Sequence, residues 1–188
     1  MRRTFILIMA FSLMLVAAAP AFARGGPPAG VRPGGQTIAE IAEAENFSLL
    51  LAAVGYVAET NPDSALVAGL LNNDQYTVFA PTNKAFIDLV IALGVDPNNP
   101  FAGIDGLLGE GTVEAVLSYH VVEGRRASNS VVPRVGERTM TTLLGATFTV
   151  DTNARITAVG NRAQIGPANI SASNGVIHVI DTVILPIG

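Results

Sequence analysis

The sequence contains no cysteine, no tryptophan, a single lysine (Lys84) and only two histidines, His120 and His178. Without cysteine there is no disulfide framework, no thiolate nucleophile and no cysteine-liganded metal, so the core must hold by packing alone. The two histidines lie far apart, and neither sits in a His-x-x-x-His or His-Glu pattern, so no zinc site is indicated. No Gly-x-Ser-x-Gly elbow presents a nucleophile, and no Walker loop or dinucleotide glycine pattern is present. Asp96-Pro97-Asn98-Asn99 gathers oxygen ligands but lacks the spaced carboxylates and closing glutamate of a calcium loop, and reads as a solvated turn. These absences argue against an enzyme and against a bound metal or cofactor.

The longest apolar run stands at the start. Arg2-Arg3 precede Phe5 to Ala19, interrupted only by Ser12, and Ala21-Phe22-Ala23 offers a small-residue cleavage site before Arg24. The run is short of the roughly 20 residues of a spanning helix, so residues 1–23 are expected to be a secretory signal peptide. Its paired arginines fit general secretion, with twin-arginine export as the alternative. No cysteine follows the run, which excludes the lipid anchor of a bacterial lipoprotein. Export to a periplasm, to the cell surface or to the medium is expected. Residues 24–36 are rich in glycine and proline and read as a linker. Residues 37–188 then form one domain of about 150 residues.

Charge is scarce, at 14% of residues with a formal net of −4 at pH 7. It is also unevenly spread. Residues 37–120 carry eleven acids against Lys84 alone, a formal −10, whereas residues 121–188 carry six arginines against four acids, a formal +2. An acidic chain without a basic stripe argues against nucleic acid as a partner. The acidic half reads as solvated helix faces.

Thr37-Ile38-Ala39-Glu40 has the spacing of a capping box. Ser48 is placed to cap a second helix carrying Leu50, Leu51, Val54 and Val57 at helical spacing, and Asn61-Pro62-Asp63-Ser64 opens a third, which Asn72-Asn73-Asp74 ends. Thr77 to Ala80 alternates as a strand around Phe79, and Pro81 ends its ladder. Thr82 or Asn83 caps the next helix, whose stripe is Ala85, Phe86, Leu89, Val90 and Leu93, with Gly94 as its stop. Residues 94–111 read as a long surface connection with an apolar turn at Ile104 to Leu108, and Thr112 caps a further helix. Beyond Tyr119, β-branched residues and turn dipeptides predict strands near 119–123, 137–143, 147–151, 155–159, 162–165, 169–172 and 176–185. Asn174-Gly175 is the strongest hairpin signal, expected in a type I′ turn. Helices first and strands mostly second give an α+β class.

The decapeptide Thr77-Val78-Phe79-Ala80-Pro81-Thr82-Asn83-Lys84-Ala85-Phe86 resembles the first signature of the fasciclin (FAS1) domain, matching every constrained position. The segment Asn174-Gly175-Val176-Ile177-His178-Val179-Ile180-Asp181 through Pro186 resembles the second, and Tyr119-His120 falls where the family carries its Tyr-His pair. The resemblance implies a wedge-like β-sandwich of about seven strands with helices packed on it.

It also implies a function: a secreted, non-catalytic adhesion or extracellular-matrix and cell-surface interaction module. In animal members the Tyr-His pair is linked to integrin adhesion, and it maps here onto Tyr119 and His120. Arg125 and Arg126 follow directly, so Tyr119, His120, Arg125 and Arg126 are the candidate partner-binding residues, for a cell-surface or matrix protein or a polysaccharide. A Tyr-His pair at a helix-to-strand junction can also simply hydrogen-bond inside the core and hold it, and this structural role is the favoured reading. Arg134, Arg138, Arg155 and Arg162 would join an anion-binding surface if folding gathers them. His178 alternates with Val176 and Ile180 and reads as a hydrogen-bonded core histidine. Some family members bind carotenoids, which makes a carrier of a carotenoid, lipid or other small hydrophobic ligand the alternative function.

Overall fold

The structure, a computed structural model, describes residues 34–44, 47–71 and 74–187. The expected signal peptide, the linker up to residue 33 and the Asn72-Asn73 stop lie outside the described residues. Three helices come first: α1 (Ile38–Ala44), α2 (Ser48–Thr60) and α3 (Ala65–Leu71). They are followed by β1 (Tyr76–Pro81), α4 (Asn83–Leu93), α5 (Pro100–Leu108), α6 (Thr112–Tyr119), β2 (Val121–Glu123) and the single turn α7 (Ser128–Val131). The strands β3 (Glu137–Thr141), β4 (Thr147–Asp151), β5 (Arg155–Thr157), β6 (Arg162–Gln164), β7 (Ile170–Ala172) and β8 (Gly175–Ile180) complete the chain.

Eight strands form two four-stranded sheets, ordered β2-β1-β8-β7 and β3-β4-β5-β6. β1 and β8 run parallel, with Phe79 opposite His178, and the other strand pairs are antiparallel. The first sheet is covered on both faces. Val78, Ala80, Ile177 and Val179 pack against α1, α2, α4 and α6, while Phe79 and Ile180 pack with Phe148, Val150 and Ile156 of the second sheet. That is why β1 and β8 are buried at every position, where a one-sided strand would alternate. The second sheet does alternate, turning Met140, Phe148, Val150 and Ile156 inward and Thr139, Thr141, Thr147, Arg155 and Thr157 toward water, while Arg138, opposite Val150 at the β3 edge, is half-buried.

Local chemistry explains most element boundaries. Thr37 and Glu40 exchange the reciprocal bonds of a capping box, at 2.7 and 3.2 Å. The Thr82 hydroxyl accepts from the Ala85 amide at 3.2 Å, and Gly94 closes α4 in the left-handed region. Asn83 serves α2 instead: its Oδ1 accepts from the Leu49 amide at 3.0 Å and its amide donates to Ser48 at 3.0 Å. Ser48 is thus the first helical residue and not the cap. Similarly, Asp105 rather than Thr112 satisfies the start of α6, accepting from the Val113 amide at 2.9 Å. This carboxylate anchors α5, a helix in the stretch expected to be a surface connection.

The Asn174-Gly175 expectation fails in an informative way. Ala172 pairs with Gly175, so Ser173-Asn174 is the two-residue connection, and neither Asn174 nor Gly175 has a positive φ. Asn174 turns inward, accepting from the Ile38 amide at 2.9 Å and donating to the Leu70 carbonyl at 3.1 Å. Gly175 is required by close approach: a Cβ there would lie 2.2 Å from the Tyr76 carbonyl oxygen and 2.8 Å from Ile38 Cδ1. Gly175→Ala is accordingly expected to destabilise the fold by about 1–3 kcal/mol in urea unfolding. A stability equal to wild type would refute that packing. The linker's last residues are also fastened, since Gly34 donates to the Ala172 carbonyl and Gln36 accepts from Ser173.

Candidate functional site

Tyr119 ends α6 and His120 is its C-cap, and both are inside the protein, at 0% and 2% exposure. The Tyr119 ring stands edge-on to Phe148 at 5.9 Å, and its hydroxyl donates to the Thr147 carbonyl at 2.8 Å, tying α6 to the second sheet. His120 Nε2 accepts from the Ile184 amide at 3.0 Å, so Nδ1 carries the proton and donates to the Val116 carbonyl at 2.6 Å. Burial pushes His120 down to about 4, opposed by its bond to the Val116 carbonyl. The polar atoms of both side chains are thus bonded within the fold, and both residues are buried.

Downstream of the pair, β2 leads through Gly124, at φ 82°, into a loop that carries Arg125 and Arg126. Arg125 is half-buried. It donates to Gln75 Oε1 at 3.0 Å, the Ala172 carbonyl at 2.9 Å and Ser171 Oγ at 2.5 Å, joining the start of β1 to the β7 edge. Burial lowers its pKa. Arg126 is exposed, and its backbone is fixed from beneath. Its amide donates to Thr77 Oγ1 at 2.8 Å, while the Thr77 hydroxyl donates to the Gly124 carbonyl at 2.7 Å. Its carbonyl accepts from His178 Nε2 at 2.9 Å, and His178 Nδ1 faces the Asn169 amide at 3.4 Å. Burial lowers the pKa of His178, opposed by the bond to the Arg126 carbonyl. Asn169, at φ 62°, latches the far side of the loop through Ser128: its Oδ1 accepts from the Ser128 amide at 2.7 Å and its Nδ2 donates to Ser128 Oγ at 2.7 Å.

Of the four candidate residues, then, two are core, one is a staple and Arg126 alone faces solvent. Folding brings Arg138 of β3 to Arg126, where both line a largely polar pocket of about 400 Å³ with Ser130, Thr139, Met140 and Thr141. Arg155 and Arg162 lie across the second sheet, on β5 and β6, and outside that pocket. The latch residues Thr77 and Asn169 escaped sequence reasoning. Thr77 looked like an ordinary strand residue, and Asn169 lies in a stretch read as a strand.

A second concavity lies on the opposite side of the first sheet. Ile38, Leu50, Leu66, Val78, His120 and neighbouring residues of α1 to α3, α6 and β2 line an almost wholly apolar cavity of about 190 Å³. Among the described residues no group of three or more histidine or carboxylate side chains is placed to hold a metal ion. Asp96 forms a local turn, its Oδ1 accepting from the Asn98 amide at 2.9 Å. No helix among the described residues is long and apolar enough to cross a membrane.

Comparison with known proteins places this architecture among relatives. Residues 45–186 match the model of the Fasciclin domain family. The immunogenic protein MPB70 of Mycobacterium bovis is 34% identical over 160 residues, covering 85% of this chain and 74% of that protein. Protein sll1483 of Synechocystis is 37% identical over 154 residues, covering 80% and 73%. The cell surface glycolipoprotein MPB83 of Mycobacterium bovis is 35% identical over 127 residues, covering 67% of this chain and 50% of its own. A FAS1 domain pair from the insect cell adhesion molecule Fasciclin I superposes with a TM-score of 0.45 at 16% identity, over 77% and 46% of the two chains, a likeness too slight to build on.

Proposed function

The chain belongs to the fasciclin domain family, and on that footing we propose that it is a non-catalytic, exported module that attaches to a cell-surface or matrix component through the loop around Arg126. The observation that carries this reading is the pinning of the loop. Thr77, His178 and Asn169 hold its backbone from three sides, so the loop that offers Arg126 to solvent has less entropy to lose on binding. The loop also lies in the one part of an acidic domain whose formal charge is positive. MPB83, a relative covering half of its own length, is named a cell surface glycolipoprotein, which fits the same setting. Tyr119 and His120 serve the function indirectly, by holding the junction from which β2 and the loop emerge.

The test is retention of the labelled full chain on cells of the producing organism. Arg126→Glu is expected to lower retention at least fivefold with the melting temperature unchanged within a few degrees. Tyr119→Phe is expected to lose about 1 kcal/mol of stability and retain binding at 25 °C. Equal retention of wild type and Arg126→Glu would contradict the proposal.

The apolar cavity supports a second reading, a carrier of a small hydrophobic ligand. Its size limits what fits: about 190 Å³ lies below the roughly 300–1,000 Å³ of pockets that enclose whole drug-sized ligands. A short acyl chain or one end of a longer molecule suits it, whereas a whole carotenoid does not. Solvent extraction of protein purified from its native source would yield a stoichiometric apolar compound on this reading, and a lipid-free extract would rule it out.

A further inference from the structure

Arg126 and Arg138 reach the same pocket from two different sheets, and the protein spends structure on keeping them there. Arg126 extends from the loop latched by Thr77, His178 and Asn169, and its Nε donates to the Glu123 carbonyl at 3.4 Å. Arg138 is held on the other wall, donating from one Nη to the Ser130 carbonyl. Each guanidinium has five N–H donors, so most of both forks remain for a ligand. Neither Arg126 nor Arg138 is ion-paired with a described carboxylate. The acids nearest in sequence, Glu123 and Glu137, are exposed and make no ion pair with them. Ser130, Thr139, Met140 and Thr141 complete the lining, and the three hydroxyls among them both donate and accept.

We propose that this pocket binds the oxyanion group of an anionic saccharide, with Arg126 and Arg138 gripping the carboxylate, sulfate or phosphate and the Ser130, Thr139 and Thr141 hydroxyls meeting sugar hydroxyls. Two guanidinium forks without a competing carboxylate select an oxyanion over a neutral or cationic group. A volume of about 400 Å³ far exceeds a bare ion, and hydroxyl-bearing walls suit the ring that carries it. The proposal rests on the surface-attachment reading above and names its ligand class.

Titration calorimetry of the full chain with a uronic-acid tetrasaccharide, inorganic sulfate and inorganic phosphate tests it. The tetrasaccharide is expected to bind at least tenfold more tightly than either free ion, and its binding is expected to weaken as salt is raised. Arg126→Ala and Arg138→Ala are each expected to weaken it at least tenfold, and Arg162→Ala, outside the pocket, to leave it within twofold. Arg138→Lys keeps the charge without the fork and guards against a folding defect: it too is expected to lose most of the binding. No saturable binding by any of the three probes, equal affinity for the free ions, or an Arg162→Ala loss as large as that of Arg126→Ala would overturn the proposal. Cell retention measured on the same variants separates the two ideas: saccharide binding lost while retention persists sinks the attachment role of the loop and leaves the pocket standing.

Discussion

Phe79→Ala is expected to cost about 3–5 kcal/mol, the range for removing a large aromatic side chain from a packed core. Phe79 is wholly buried on the central strand β1, edge-on to Phe148 at 5.1 Å and tilted against His178 at 5.5 Å. It joins the two sheets, so truncating it opens a void that the flanking Ile180 and Val122 cannot close without shifting a strand. Against a total stability of about 5–15 kcal/mol, such a loss leaves the variant marginal. Phe79→Leu, which keeps much of the volume, is expected to lose less than half as much. Urea unfolding with an unchanged m-value reads both. A loss below about 1 kcal/mol for the alanine variant would mean that Phe79 is not the joint between the sheets.

The second large effect is acid sensitivity. His120 is neutral and buried, with a folded value of about 4 against 6.5 for the free side chain. Between those values the unfolded chain binds a proton that the folded chain refuses, so stability falls as pH drops from about 6.5 to 4 and is fully present above that window. The shift corresponds to about 3 kcal/mol. His178 adds to the same slope, because burial lowers its pKa too. Glu40 and Asp151, whose pKa values are lowered chiefly by backbone amides, lose their contributions as pH falls through and below their ordinary values of 4.5 and 3.8, at the acid end of that window and beyond. In His120→Gln the chain should be less stable at neutral pH but should show a much shallower decline from pH 6.5 to 4. Equal slopes in the variant and wild type would show that His120 is not the titrating group.

The family and its local geometry were legible because they are written in short-range chemistry. The Thr82 cap, the Gly94 stop and the Thr37-Glu40 box are each settled within a few residues, and the signature from Thr77 to Phe86 has a folding role at every constrained position. What the sequence hid depends on partners distant in the chain. Asn174-Gly175 reads as a turn until Tyr76 is seen crowding Gly175, and Asn83 reads as a cap of its own helix until α2 is seen above it. The Tyr119-His120 pair was ambiguous for the same reason. The pair stands at the end of α6, and its bonding partners Thr147 and Ile184 are far along the chain, so residue type alone could not separate a binding pair from a structural one. The meeting of Arg126 and Arg138 likewise depends on how the β2 loop lies against the edge strand β3.

The account holds that the Tyr-His pair is a clamp inside the fold and that contact with partners belongs to the surface it supports. Nitrogen-resolved NMR titration of the two histidines tests this most directly. His120 is predicted to stay neutral and protonated at Nδ1 from pH 8 until close to pH 4, with its imidazole N–H slow to exchange with water. Titration of His120 near pH 6.5 with fast exchange would place the ring in solvent and contradict the account.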